Sequence, residues 1–290
     1  MNVKRIYPQY LLILPLTVYA LFFILPSTVG FLYAFTDWNP YLEKISFVGL
    51  DNFKEILENK TLLIAAENTI SFTIITALAK NAIGLTIAIA LNRKLRSTNI
   101  LRAVYFLPVV FSALVVGLIF VAIFDTNYGV VNVFLTNIGL EKWAPEWLGK
   151  RFWAMTAVNI TEIWRSTGYA VVIFLAGLQS IPGDYYEAAD IDGASGWQKF
   201  KSVTLPLIMA PFNVNMLLSI LYGLKIFDII YIMTRGGPGH DTETFGTLIL
   251  NEMAMDRYAQ SVAINLVFAV ILVVVALGYQ KFASKTEVEL

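Results

Sequence analysis

Five ionisable residues, Lys80, Glu162, Arg165, Lys225 and Asp228, fall inside stretches of sequence that are otherwise apolar. A charge at the centre of a lipid-exposed helix costs about 2.5–3.5 kcal/mol, so each must face protein or a water-filled cavity. Their spacing offers two kinds of chemistry. Glu162 with Arg165, and Lys225 with Asp228, stand three residues apart and can pair along one helix face. The group can also line a polar path: Asn215, Ser219 and Tyr222 lie within about 60° of one another on a helical wheel, with Lys225 and then Asp228 drifting off that face. Sugar hydroxyls want hydrogen-bond partners and sugar ring faces want flat apolar contact, which Trp164, Tyr169 and Tyr222 would supply. Lys80, Glu162, Arg165, Asn215, Ser219, Tyr222, Lys225 and Asp228 are therefore the candidates for a solute path. As a relay, the same buried Lys, Glu and Asp would instead serve a secondary transporter driven by an ion gradient.

The elements that hold these residues must be membrane helices. Of the 290 residues, 57% are hydrophobic and only 14% charged, against roughly 45–50% and about 25% in soluble domains. Six stretches approach or exceed the roughly 20 apolar residues that span a bilayer as helix: 10–35, 69–91, 104–124, 152–178, 207–233 and 260–280. The fold class expected is all-α, one integral membrane domain over residues 1–290, since single strands cannot satisfy their backbone groups in lipid. Apolar sequence runs unbroken from Tyr10 to Phe35, which favours an uncleaved first span over a signal peptide. Pro15, Pro26 and Pro108 each remove a backbone hydrogen bond and should bend their helices.

With a cytoplasmic N-terminus, Lys and Arg are nearly twice as dense in the inside flanks as outside, with Lys4, Arg5, Arg93, Lys94, Arg96 and Arg102 contributing. Both termini and the segment 179–206 then face the cytoplasm. Zero formal net charge leaves no basic field for nucleic acid, and the absence of cysteine excludes disulfides and thiolate chemistry. The single histidine, His240, reads as a solvated loop residue, because metal sites recruit several ligands.

Residues 187–206 read EAADIDGASGWQKFKSVTLP. Pro182 suits the first turn of a helix, Asp184 and Glu187 sit near its positive end, and Gly193 can take the left-handed conformation that terminates it. Ser195 and Gln198 have capping-box spacing, and Trp197, Phe200 and Val203 give the next helix an apolar stripe. A compact helical hairpin at the membrane surface is expected. Its small residues Ala188, Ala189 and Ala194 allow another backbone to approach, and Glu187 offers a carboxylate to a partner's Arg or Lys.

This segment resembles the EAA loop of ATP-binding-cassette importer permeases: Glu187-Ala188-Ala189, three residues, Gly193, nine residues, Val203 in place of isoleucine, one residue, Leu205-Pro206. The flanks Gln179-Ser180-Ile181-Pro182 and Asp192-Gly193-Ala194 resemble the carbohydrate branch, typified by the maltose importer. So do Phe47-Val48-Gly49-Leu50-Asp51-Asn52-Phe53 and the stretch from Phe227 to Phe245, whose Gly236-Gly237-Pro238-Gly239 predicts a mobile turn. The likeness extends from about residue 8 to 282.

The resemblance implies a type I permease fold of six transmembrane helices in a prokaryotic cytoplasmic membrane, importing a sugar, oligosaccharide or related polyol. It further implies a second permease subunit, two ATPase subunits and an extracytoplasmic solute-binding protein as partners, besides membrane lipid. Glu187, Ala188, Ala189, Asp192, Gly193, Leu205 and Pro206 would couple the ATPase to transport and catalyse nothing. The chain has no GxxxxGK[ST] phosphate loop, so ATP and Mg would reside on partner subunits, with no cofactor or metal in this one.

Overall fold

The structure is a computed structural model that describes residues 9–41, 43–93 and 98–285; Lys4, Arg5, Lys94 and Arg96 of the charge bias lie outside the described residues. No strand is present among the described residues, apart from a single bridge between Thr36 and Phe47. By its internal contacts the chain divides into two compact units.

One unit draws on Met1–Lys60 and Ile249–Val270. Its long first helix, α1 (Tyr10–Tyr33), is apolar and has none of its span buried, as a lipid-facing helix should be. A π-helical turn at Ala20–Ile24 interrupts α1 just before Pro26, where a proline denies the ladder a donor. The chain then folds back to α2 (Asp51–Glu58). Buried Asn52 fixes that return by donating both amide protons, to the carbonyls of Ala34 and Thr36, at 2.8 Å each.

The other unit draws on Thr61–Leu248 and Ile271–Leu290. Its helices run α3 (Lys60–Leu91), α4 (Thr98–Val110), α5 (Ala113–Ile123), α6 (Val130–Asn137), α7 (Arg151–Ser180), α8 (Gly183–Ile191), α9 (Gly196–Leu207), α10 (Met209–Leu224) and α11 (Asp228–Met233). Two more, α12 (Phe245–Ala254) and α13 (Tyr258–Ala283), complete the chain. The central element is α7, about 45 Å long at 1.5 Å per residue. Apolar cores form near both of its ends. Ala157 and Val158 pack with Phe72, Val116, Phe124 and Ile229 at one, and Ala170, Phe174 and Leu178 with Ala88, Leu91 and Ile208 at the other. Between these cores α7 carries Glu162 and Arg165.

By length and composition three helices can each cross a membrane, α1, α3 and α13; the bent pairs α4 with α5 and α9 with α10 pass the same test jointly. The third expected span is therefore broken beside Pro108, and the fifth, expected as one span over 207–233, is interrupted as well. Between α4 and α5 the axis turns by 94°. Pro108 lies in the last turn of α4, and the Ser112 hydroxyl accepts from the Val115 amide to start α5 afresh. Between α9 and α10 it turns by 65° at Ile208, and α10 stops at Leu224, before α11.

Hydroxyls in this apolar setting are satisfied locally. Thr69, Thr73 and Thr76 of α3 bond the carbonyls four residues earlier at 2.7, 2.7 and 2.8 Å, and Thr161 of α7 does so at 2.8 Å. Helices also meet closely: a Cβ on Gly168 of α7 would fall 2.5 Å from the Tyr105 carbonyl oxygen and 2.8 Å from Val109 Cγ2, both on α4. Gly168→Val should therefore push α4 off α7 and destabilise the fold by about 1–3 kcal/mol, the usual range for overpacking. Thermal unfolding in detergent checks this against Gly30→Ala, where nothing lies within 4 Å and no comparable loss is expected.

Candidate functional site

Midway along α7, four side chains from three helices converge. Glu162 is fully buried and accepts from Arg165 Nε and Nη2 at 3.1 and 2.9 Å, while Lys80 Nζ of α3 lies 3.9 Å from its other oxygen. Arg165 also donates to the Tyr222 hydroxyl of α10. The Tyr222 ring stands 5.1 Å from Lys80 Nζ and 5.7 Å from Arg165 Cζ, within cation–π range. A single carboxylate thus offsets two cations, and the aromatic face spreads what is left.

This cluster borders a cavity of about 400 Å³. Lys80, Arg165, Asn215, Ser219, Tyr222 and Lys225 line it, with Ser166 and Tyr169. Six of the eight candidate path residues therefore share one cavity, and Glu162 lies behind it as the counter-ion. Asp228 does not line it, and the helical pairing expected of Lys225 and Asp228 does not form. Lys225 follows the end of α10, Phe227 breaks the helix at φ −142°, and Asp228 opens α11 instead, where a carboxylate favours the positive helix end. Trp164 points elsewhere, its ring 5.3 Å from that of Phe120.

The sequence reasoning missed Asn81. This buried amide accepts from Asn215 Nδ2 at 2.9 Å and donates to the Ser219 hydroxyl at 3.2 Å, tying α3 to α10 behind the cavity. Its signal was a carboxamide next to Lys80 in an apolar run.

The second feature is the hairpin of α8 and α9. Helix α8 begins after Pro182 in extended conformation, one residue later than expected, and Asp192 ends it. Gly193 follows at φ +72°, its amide bonded to the Asp190 carbonyl at 3.1 Å. The capping box is complete: Gln198 N donates to Ser195 Oγ, and Ser195 N donates to Gln198 Oε1. Lys199 pairs with Asp190, and the hydroxyls of Tyr186 and Thr204 meet at 3.0 Å, so the two arms are held together.

Glu187, Ala188, Asp192 and Gly193 are exposed on this hairpin, Ala189 and Pro206 are half-buried, and Leu205 is at the exposed border. The expected apolar stripe is only partly buried. A π-helical turn at Phe200–Thr204 widens and underwinds α9, and Trp197 lies tilted against Phe200 at 5.4 Å yet remains 71% exposed. Ile191, which sequence reasoning had left aside, is 87% exposed. Apolar side chains so placed on a polar knob suit a protein partner.

The glycine-rich turn at 236–239 is followed by a segment tied down by hydrogen bonds. Thr242 Oγ1 donates to the Gly237 carbonyl at 2.7 Å, and Asn68 of α3 donates to the Asp241 and Glu243 carbonyls at 2.9 Å each. His240 is half-exposed with Nδ1 3.6 Å from Glu243, and no cluster fit to hold a metal occurs among the described residues.

Residues 80–288 match the family model described as the binding-protein-dependent transport system inner membrane component. Among similar proteins, the trehalose/maltose transport system permease protein MalF of Thermococcus litoralis is 33% identical over 273 residues, 94% of this chain and 92% of that protein. The multiple sugar-binding transport system permease protein MsmF of Streptococcus mutans is 32% identical over 293 residues, 99% of this chain and all of that one. In fold, the chain resembles a subunit of a bacterial ABC transporter for the acidic polysaccharide alginate, at TM-score 0.83 and 24% identity over 95% of this chain and 94% of that one. An all-helical membrane protein with this much of its length matched belongs to the inner membrane components of binding-protein-dependent transport systems.

Proposed function

We propose that this chain is one of two permease subunits of an ABC importer for a sugar, oligosaccharide or related polyol. The carrying observation is the capped, exposed hairpin of α8 and α9, which presents Glu187, Ala188, Ile191 and Trp197 outward as a knob. Two ATPase subunits holding ATP and Mg seat on it; this chain, a transport component, hydrolyses nothing. A solute-binding protein delivers the ligand on the opposite face. The segment 1–290 acts as one membrane domain of six spans in which α7 is a crossing, the bent pair of α4 and α5 is a broken crossing and α10 with α11 forms the fifth, with both termini and the hairpin of α8 and α9 cytoplasmic.

Sugar is favoured by the relatives' named substrates and by the mid-helix cavity, where Asn215, Ser219 and Arg165 face Tyr169 and Tyr222. The buried charges oppose the ion-gradient alternative, because Glu162 is already engaged by both Lys80 and Arg165.

Because the chain lacks cysteine, Ala188→Cys introduces one addressable thiol on the knob. In inverted membrane vesicles that carry all subunits, this thiol should label with an impermeant reagent and cross-link to the ATPase through a short bifunctional linker. Labelling only from the other face, or cross-links to lipid alone, would overturn the coupling assignment.

A further inference from the structure

A second cavity, of about 390 Å³, lies between α3 and α7 near the α7 N-terminus, away from the hairpin. Its rim is polar and internally satisfied. Arg151 Nη2 donates to Glu67 at 2.7 Å and to Asn68 Oδ1 at 3.2 Å, and both Asn68 amide protons go to the 241–243 loop. At its floor stands Asn159, 7% exposed, whose Oδ1 is buried with no hydrogen-bond partner. A buried carbonyl oxygen without a donor costs about 1–3 kcal/mol, so this site is incomplete as it stands.

The missing partner is a donor, and it is uncharged. The rim's Arg and Glu neutralise each other, which leaves no net charge to select an ion. The walls include the exposed Phe152 ring and Met155, a surface for the C–H face of a sugar ring, while a hydroxyl supplies the proton that Asn159 lacks.

Position strengthens the case. Residues 151, 155, 159, 162, 166, 169 and 173 recur at three or four along one face of α7, a stripe of roughly 33 Å. The upper part of that stripe lines this cavity and the lower part lines the mid-helix cavity. The Lys80–Glu162–Arg165 cluster separates them.

We infer that the cavity floored by Asn159 is a second saccharide subsite, an entry station that holds a neutral polyhydroxylated solute ahead of the buried ion cluster. The inference rests on the importer reading, and the test below keeps the two apart.

In the assembled transporter, Asn159→Cys, and Thr156→Cys one turn above it, should react with a membrane-impermeant methanethiosulfonate applied from the face opposite the hairpin. Maltotriose, the probe, should slow modification by about tenfold at roughly ten times its Kd. Ile160→Cys, on the neighbouring exposed face, should gain no protection. Protection of either cavity thiol supports the subsite. Failure of both to react from that face, or equal rates with and without maltotriose, as for a site that holds water only, overturns it. If protection holds while the Ala188→Cys cross-link fails, the subsite stands and the coupling assignment falls; the converse removes only the subsite.

Discussion

Gly193→Pro should cut solute uptake at least about tenfold while the protein still inserts and assembles. The residue sits at φ +72° and its amide donates to the Asp190 carbonyl. Proline fixes φ near −65° and has no amide proton, so both requirements fail at once, at a cost on the order of 3 kcal/mol. The only relaxation open to the hairpin is to swing α9 off α8, which breaks the Lys199–Asp190 pair and the Tyr186–Thr204 contact. Space is not the issue, since nothing lies within 4 Å of a Cβ at this position. Gly193→Ala, which keeps the amide, should lose much less, about 1–2 kcal/mol of local strain. Glu187→Lys tests the same surface through charge: with the carboxylate reversed on an exposed helix face, ATPase activity should continue while uptake falls. Uptake by proteoliposomes beside ATP hydrolysis by the same preparation separates coupling from folding. Uptake equal to the parent in both Gly193→Pro and Glu187→Lys would remove the docking role.

Glu162→Ala should be the most damaging single change inside the membrane. The carboxylate is fully buried and holds Arg165 by two hydrogen bonds, with Lys80 at 3.9 Å. Its removal leaves two neighbouring cations with no counter-charge, a situation that costs about 3–5 kcal/mol. Thermal unfolding in detergent should shift down by roughly 10 °C, at 2–4 °C per kcal/mol. The triple variant Lys80→Leu, Glu162→Leu, Arg165→Leu removes every charge together and should recover much of that stability. It should not recover uptake, because the cavity then lacks its polar wall. A triple variant that transports as well as the parent would show the cluster to be packing alone.

Much of this could be read from the residues because the strongest signals were local. The hairpin was legible because Gly193, Ser195 and Gln198 each act over three or four residues, through one backbone angle and one pair of hydrogen bonds. Long apolar runs gave α1, α3, α7 and α13 to within a few residues at most ends, although α3 starts nine residues earlier than its apolar run, on Lys60. Breaks were harder. Pro108 signalled a bend, but not one of 94°, because the restart at Ser112 depends on a cap that no apolar pattern reveals. The stop at Leu224 had no signal at all: Gly223-Leu224-Lys225-Ile226 reads as continuous helix, and tertiary packing of Ile226, Ile229 and Ile230 decides it. For the same reason the Lys225–Asp228 pair was expected and is absent, whereas Glu162–Arg165, on an unbroken helix, is present. Asn81 and Asn159 were invisible for another reason. An amide in an apolar helix acquires meaning only from what faces it, and that is fixed by residues more than 70 positions away in sequence.

The threonines of α3 carry a consequence for motion. Because Thr73 and Thr76 give their protons to their own helix, no hydroxyl proton of theirs anchors α3 to a neighbour. A rod whose polar groups close upon themselves can slip or roll beneath adjoining rods with little friction, since only dispersion contacts must be exchanged. Rigid-body displacement of α3 past α10 is then resisted where Asn81 clasps Asn215 and Ser219 and where Lys80 meets the Tyr222 ring one residue before it, so the force needed to shift it is concentrated at two neighbouring positions.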